Sequence, residues 1–158
     1  MGADQSPWPA KRMEITPGRR IGNVLMERLV SWNLVPRTLI LTTVGRRTGQ
    51  VRRTPVTPVH RSGHLYLVAP YGPVGWVQNA RAAGTVRLAG KVDGAKTDAE
   101  YAVREVSAIE AGPVLKDYWQ VASAVRSYFD VPKGAPVEAF VHEAHHHPVF
   151  ELTVVTAG

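Results

Sequence analysis

The sequence predicts a mainly β (α+β) fold: an antiparallel barrel, closed or split, of about six strands with peripheral helices. Three observations predict it. Apolar, β-branched segments of strand length recur, as in Thr38–Val44 and Leu65–Pro70, and such residues suit a pleated, buried surface. The segments are separated by short turns, at Gly45–Gly49, Arg61–His64 and Asp93–Gly94, so neighbours pair as hairpins. Helical segments come late and do not alternate regularly with strands, which argues against a doubly wound sheet.

In chain order, Met1–Gly18 carries Pro7, Pro9 and Pro17 without an apolar core. Residues 1–18 therefore read as a flexible lead-in rather than a secretory signal, and residues 19–158 as one domain. Arg19–Asn33 places Ile21, Leu25, Leu29 and Trp32 at helical spacing, which predicts an amphipathic helix ended by Pro36. That helix is expected to pack on the barrel, although its basic ends also suit peripheral contact with a membrane surface. Thr38–Val44 is a buried strand. Val51–His60 is expected as the second strand, at an edge or bulged, because Pro55 and Pro58 cannot donate ladder hydrogen bonds. Leu65–Pro70 is the third. After the loop Tyr71–Gly75, Trp76–Ala83 has helical composition and Gly84 is a natural C-terminal cap. Thr85–Val92 and Lys96–Val106 form a hairpin. Ser107–Tyr128 is helical, broken or restarted near Pro113; Pro136–His146 is a short helix, and Val149–Val155 a closing strand.

At 158 residues the chain has one domain's worth of core, and 44% hydrophobic with 20% charged residues is an ordinary globular balance. The longest apolar run, Leu39–Val44, already contains two threonines, so no span of membrane length is expected. There is no cysteine, which removes disulfides, thiol chemistry and cysteine-ligated metals. A cytoplasmic location is expected. The net charge of +6 is unevenly spread: residues 1–96 hold fifteen Lys/Arg against four Asp/Glu, residues 97–158 four against nine. A uniformly basic nucleic-acid sleeve would not look like this. The pattern suggests a basic half that receives an anion.

The anion site is expected at Gly45–Pro55, GRRTGQVRRTP, with four arginines in eight residues. In a hairpin Arg46 and Arg47 occupy the tip, while Arg52 and Arg53 point to opposite faces of the returning strand. Arg47 and one of the returning pair can converge on one anion, with turn amides and the Thr48 hydroxyl as further donors. The plainer reading is an edge protected by charge. A planar ligand is expected at Ala69–Asn79, APYGPVGWVQN: Gly72 and Gly75 permit close backbone approach, and Tyr71 and Trp76 bring aromatic faces. The plainer reading here is a structural loop with Trp76 plugging the core. Asn79 can bond a ligand or cap backbone.

Taken in order, these segments resemble the deazaflavin (coenzyme F420)-dependent nitroreductase family, whose split β-barrel is shared with flavin reductases and pyridoxamine-phosphate oxidases. The match is carried by Thr42, Thr43, Gly45, Arg46, Arg47, Thr48, Gly49, Arg52 and Pro55, and extends over about residues 20–155, including the closing His147–Phe150. The resemblance implies a cofactor with a phosphodiester and glutamate tail held by Arg46, Arg47, Thr48 and Arg52. It implies that Pro55, Val56, Thr57, Ala69, Pro70, Tyr71 and Gly72 flank the tricyclic ring, and that Trp76 and Asn79 close the pocket. The reaction implied is hydride transfer between the reduced cofactor and a small hydrophobic acceptor (an enone, a quinone or a nitro compound). Tyr71 and Tyr128 are the candidate proton donors, whereas Tyr118 and Trp119 line an apolar wall or pack. The chain departs from the family where Tyr71 stands for a lysine, Val77 for a tyrosine and Thr57 for an aromatic residue. Those positions lie near ring and substrate, so the resemblance speaks more for the cofactor than for nitroreduction.

The alternatives are an FMN enzyme on the same barrel, since arginines also suit a single phosphate, and a nucleic-acid-binding barrel. The acidic C-terminal third counts against the latter. His142, His145 and His146 would share a face of an unbroken helix beside Glu143, but Pro148 follows at once, and solvated histidines at a helix end are expected instead of a metal site. No GxGxxG follows a strand, Gly84–Lys91 has the wrong spacing for a phosphate loop, and no serine nucleophile elbow occurs. A homodimer is compatible with such a barrel.

Overall fold

Among the described residues seven strands form one antiparallel sheet: β1 (Leu39–Val44), β2 (Val51–Val56), β3 (Val59–Arg61), β4 (His64–Val68), β5 (Thr85–Val92), β6 (Ala95–Glu105) and β7 (Val149–Val154). The computed structural model describes residues 38–156 apart from Asp93. The expected lead-in over 1–18 and the expected helix at Arg19–Asn33 lie outside the described residues.

The spatial order is β2-β1-β5-β6-β7-β4-β3, and this order dictates the shape. β2 and β3 are the two edges of the sheet, yet only Thr57 and Pro58 separate them in the chain. The sheet must therefore curl until its edges meet at one corner, where they are joined covalently but not as ladder neighbours. The result is an antiparallel barrel left split between β2 and β3. The single strand expected over Val51–His60 is thus two strands at opposite edges. Pro58 lies in the corner, and Pro55 sits opposite Ile40 on an edge strand, where its missing N–H is tolerated.

Alternation along the strands feeds two separate cores. Leu39, Leu41, Leu67, Leu88 and Phe150 point into the curl, and helix α1 (Gly75–Ala83) closes it with Trp76, Val77 and Ala80. Val59, Val68 and Val149 point outward, into a second cluster with helices α2 (Ala108–Val121) and α3 (Val137–Glu143). Gly84 ends α1 in the left-handed region, at φ 74°, its N–H reaching Ala80 O at 2.8 Å.

The break expected near Pro113 does not occur. The Ser107 hydroxyl accepts the Glu110 N–H and caps α2, which then runs through Pro113 to Val121. Proline forfeits one bond inside a helix, but the flanking Ala111, Gly112, Val114 and Leu115 are buried. A Cβ at Gly112 would strike the Val141 side chain. Close packing of α2 on α3 holds the helix together. A 3-10 turn, Ser123–Tyr128, follows. The helix expected over Pro136–His146 also changes character: α3 ends at Glu143 and tightens into a 3-10 turn at Ala144–His146, so the three histidines do not share an α-helical face.

Candidate functional site

The β1–β2 turn is built by its own backbone. Gly45 N–H donates to Gln50 O at 2.7 Å and Gly49 N–H to Gly45 O at 2.9 Å, with Gly49 at φ 69°. The Thr48 hydroxyl oxygen accepts the Gln50 N–H at 3.2 Å. A Cβ on Gly45 would stand 2.7 Å from that oxygen, so glycine is required by close approach rather than by dihedral angle.

The turn is tied to α1 through one residue. Asn79 Oδ1 accepts from the Arg46 backbone N–H at 3.1 Å and from Arg46 Nη1 at 3.2 Å. Its Nδ2 donates to Thr43 Oγ1 at 3.3 Å. Asn79 and Thr43 are both buried, 5% and 4% exposed, so both polar ends of Asn79 are committed to protein, where it positions the turn. In the register of the hairpin Arg52 stands opposite Thr43 and Arg53 opposite Thr42. Opposed residues on antiparallel strands share a face; Arg52 therefore lies on the side of Thr43, Asn79 and Arg46, and Arg53 on the other. Arg46 and Arg52 are the pair that the fold brings to one face, with Arg47 exposed at the tip.

Among the described residues, arginines outside the hairpin are occupied. Arg61 pairs with Asp117, Arg81 with Glu105, Arg87 with Asp98, and Arg104 with Glu110 and Glu151. Arg126 donates to the carbonyls of Trp119 and Gln120 and lies over the Trp119 ring. Arg46, Arg47 and Arg52 make no ion pair among the described residues.

The second segment divides by burial. Ala69 is fully buried, Val56 9% and Trp76 7% exposed, all within the inner core, with the Trp76 ring 5.9 Å from that of Phe150. Their side chains serve packing, so only backbone or ring edges there can meet a ligand. Pro55, Thr57, Pro70 and Tyr71 are half-buried. Gly72 is buried at φ 89° and its N–H closes a turn on Ala69 O. The two candidate proton donors come together across 57 positions of sequence: Tyr71 and Tyr128 rings meet edge to face, 4.7 Å between centroids and 80° between planes. Tyr118 is buried nearby, and burial, reinforced by the neighbouring Tyr71, pushes its hydroxyl well above the usual tyrosine range.

Sequence reasoning missed a buried pair behind Tyr128. Glu143 and His147 are 5% and 2% exposed, with His147 Nε2 3.6 Å from Glu143 Oε2, an ion-pair separation rather than a hydrogen bond. The other Glu143 oxygen accepts the Asp130 N–H, and the His147 ring stacks on Phe129 with centroids 4.0 Å apart. Burial raises the Glu143 pKa, but His147 beside it and the Asp130 N–H outweigh that and leave it below the usual carboxylate range. Burial and His145 push His146 down. The i, i+4 spacing of Glu143 and His147 was the available signal. His142 and His145 are not fully buried, and no group of three or more metal-ligating side chains converges among the described residues.

A family model described as F420H2-dependent quinone reductase matches residues 16–132. No curated protein matches the chain. Among solved structures, a candidate pyridoxamine 5′-phosphate oxidase from Listeria innocua aligns with a TM-score of 0.52 at 12% identity, over 84% of this chain and 94% of that one. A protein solved as a domain-swapped dimer aligns with a TM-score of 0.50 at 18% identity, over 86% and 96%. An F420-H2-dependent reductase, FDR-A, aligns with a TM-score of 0.48 at 19% identity, over 74% and 94%.

Proposed function

The chain belongs to the F420H2-dependent quinone reductase family, and we propose that its arginine hairpin holds the anionic tail of coenzyme F420 while the Tyr71–Tyr128 edge faces the acceptor. Membership makes it an oxidoreductase that uses F420. The observation that carries the site assignment is that Arg46, Arg47 and Arg52 lack a carboxylate among the described residues, while Asn79 holds Arg46 in place. Three guanidinium groups on one hairpin, without a counter-charge among the described residues, suit a phosphodiester and glutamates, which accept forked hydrogen bonds.

In this reading Arg46, Arg47, Arg52 and the Thr48 hydroxyl bind the tail. Asn79 orients the turn from behind. Pro55, Val56, Thr57, Ala69, Pro70, Tyr71 and Gly72 flank the ring, the buried ones through backbone, and Trp76 backs it from the core. When bound, the reduced deazaflavin supplies a hydride. The protein holds a proton at Tyr71 or Tyr128 Oη for the acceptor and keeps water from the packed side of the site. Acceptors are small hydrophobic molecules with an activated double bond, that is quinones and enones, and nitro compounds for a nitroreductase-like activity. We place residues 19–158 in one domain working in the cytoplasm. Among the described residues no helix is long and apolar enough to cross a membrane. A homodimer is part of the proposal, by analogy with the neighbour solved as a swapped dimer.

The test is a side-by-side titration of the purified protein with F420 and FMN, followed by stopped-flow mixing of the F420-reduced complex with a quinone, an enone and a nitroarene. F420 is expected to bind more tightly, and the absorbance of the oxidised deazaflavin to return with the quinone. Preference for FMN, or tight F420 binding without oxidation by any acceptor, would overturn the reading.

A further inference from the structure

Between the 3-10 turn Ser123–Tyr128 and α3 the chain has no strand or helix of its own to hold it. The start of this stretch is fixed to α2, because the Arg126 guanidinium donates to Trp119 O at 2.7 Å and Gln120 O at 2.9 Å. Its remaining backbone bonds are local: Phe129 N–H to Arg126 O and Ala135 N–H to Pro132 O. Its first two residues are also held by side chains from the opposite direction. Glu143 accepts the Asp130 N–H, and His147 stacks on Phe129, with centroids 4.0 Å apart and planes at 22°. Tyr128, the residue before Phe129, is the one whose ring meets Tyr71.

We infer that the buried Glu143–His147 pair is a positioning device: it fixes Phe129 and Asp130, and thereby sets the Tyr128 ring against Tyr71 on the acceptor side of the site. A buried carboxylate beside a histidine is weak support for stability, since desolvation offsets much of any attraction between them. This one is better understood by what it holds. It joins α3 and the loop before β7 to Phe129 and Asp130, and adds to the core packing of Phe129 against Tyr118. Glu143 and His147 touch neither cofactor nor acceptor in this arrangement; they act through Tyr128. The inference rests on the reading that the Tyr71–Tyr128 edge faces the acceptor.

The test reads the ring contact directly in the full-length protein without cofactor, as the nuclear Overhauser cross-peak between Tyr71 and Tyr128 ring protons. Glu143→Ala removes the acceptor of the Asp130 N–H and is expected to lose the cross-peak. Glu143→Gln keeps an acceptor oxygen and is expected to retain it. Should Glu143→Ala fail to fold, Asp130→Pro removes the same bond from the donor side. Phe129, at ψ 133°, already has the extended backbone that a following proline requires. With a quinone as acceptor, Glu143→Ala and Asp130→Pro are expected to lower kcat/KM about tenfold, as displaced pocket groups do, with F420 affinity unchanged. A cross-peak that survives in both folded variants would overturn the inference, as would parallel loss of F420 affinity. Tyr128→Phe separates the two levels. If it leaves quinone kinetics unchanged, the acceptor-side reading of Tyr128 falls, while the cross-peak still decides the positioning role.

Discussion

Two sets of arginines on this sheet have opposite fates. On β5 and β6, Arg87 and Arg104 face carboxylates supplied by neighbouring strands and by α2: Asp98, Glu110 and Glu151 stand within 3.1 Å. On the β1–β2 hairpin, Arg46, Arg47 and Arg52 face no carboxylate among the described residues, and a buried asparagine orients one of them. Self-repulsion among uncompensated guanidinium groups is a cost that the fold could have removed with one acidic residue on β1. Leaving it in place is what a site for an anionic ligand requires. Arginine number therefore matters less than what each arginine faces.

The contrast would be erased most completely by the double variant Arg46→Ala/Arg47→Ala. Losing two charge-assisted bonds, each worth roughly 1.5–3 kcal/mol, should weaken F420 binding by about 3 kcal/mol. The melting temperature should hardly move, because the Arg46 backbone N–H keeps its bond to Asn79. Isothermal titration at two salt concentrations checks both the loss and its origin: the wild-type affinity should fall with salt and the variant's much less. Unchanged affinity would move the anion site elsewhere.

Asn79→Ala comes next and acts on both properties. It leaves the buried Thr43 hydroxyl and the Arg46 N–H without their partner, which costs about 1–3 kcal/mol of stability. F420 affinity should drop alongside, as the turn loses its anchor. A thermal melt and a cofactor titration on the same sample distinguish this from Arg46→Ala/Arg47→Ala, where only affinity moves. Gly45→Ala is smaller again. The new methyl displaces Thr48 Oγ1 and disturbs its bond to the Gln50 N–H, a loss of roughly 1 kcal/mol, read as a modest drop in F420 affinity.

The hairpin is legible in the sequence because its signals are local: a glycine at each end of the turn, arginines in two adjacent pairs, and a β-branched strand leading into it. The Asn79 contact is not, because it joins residues 33 positions apart and nothing near Asn79 points at Arg46. The division of Val51–His60 escapes for a related reason. Pro55 and Pro58 announce an edge, but only the order of the whole sheet shows that Pro55 sits on one edge strand while Pro58 turns the chain to the other. Pro113 misleads in the other direction, its local penalty being outweighed by the fit of Gly112 against Val141. Trp76 and Val56 show the limit most plainly: aromatic and apolar residues beside a ligand loop read alike whether they face ligand or core, and burial alone separates them.

The mildest variant probes the paired arginines instead. Arg104→Ala removes an arginine bonded to two carboxylates, at 2.8 Å to Glu110 and 3.1 Å to Glu151. By bond count alone it should matter more than Arg47, which makes no ion pair among the described residues. Yet its side chain is 54% exposed, and ion pairs on such a surface are screened and contribute little. Glu151 also retains His64 within 3.7 Å. The expected outcome is a marginal change in melting temperature and no change in F420 affinity or in quinone kcat/KM. A loss of cofactor affinity in Arg104→Ala equal to that in Arg46→Ala/Arg47→Ala would mean that the anion responds to the charge of the whole molecule rather than to the arginines of the hairpin.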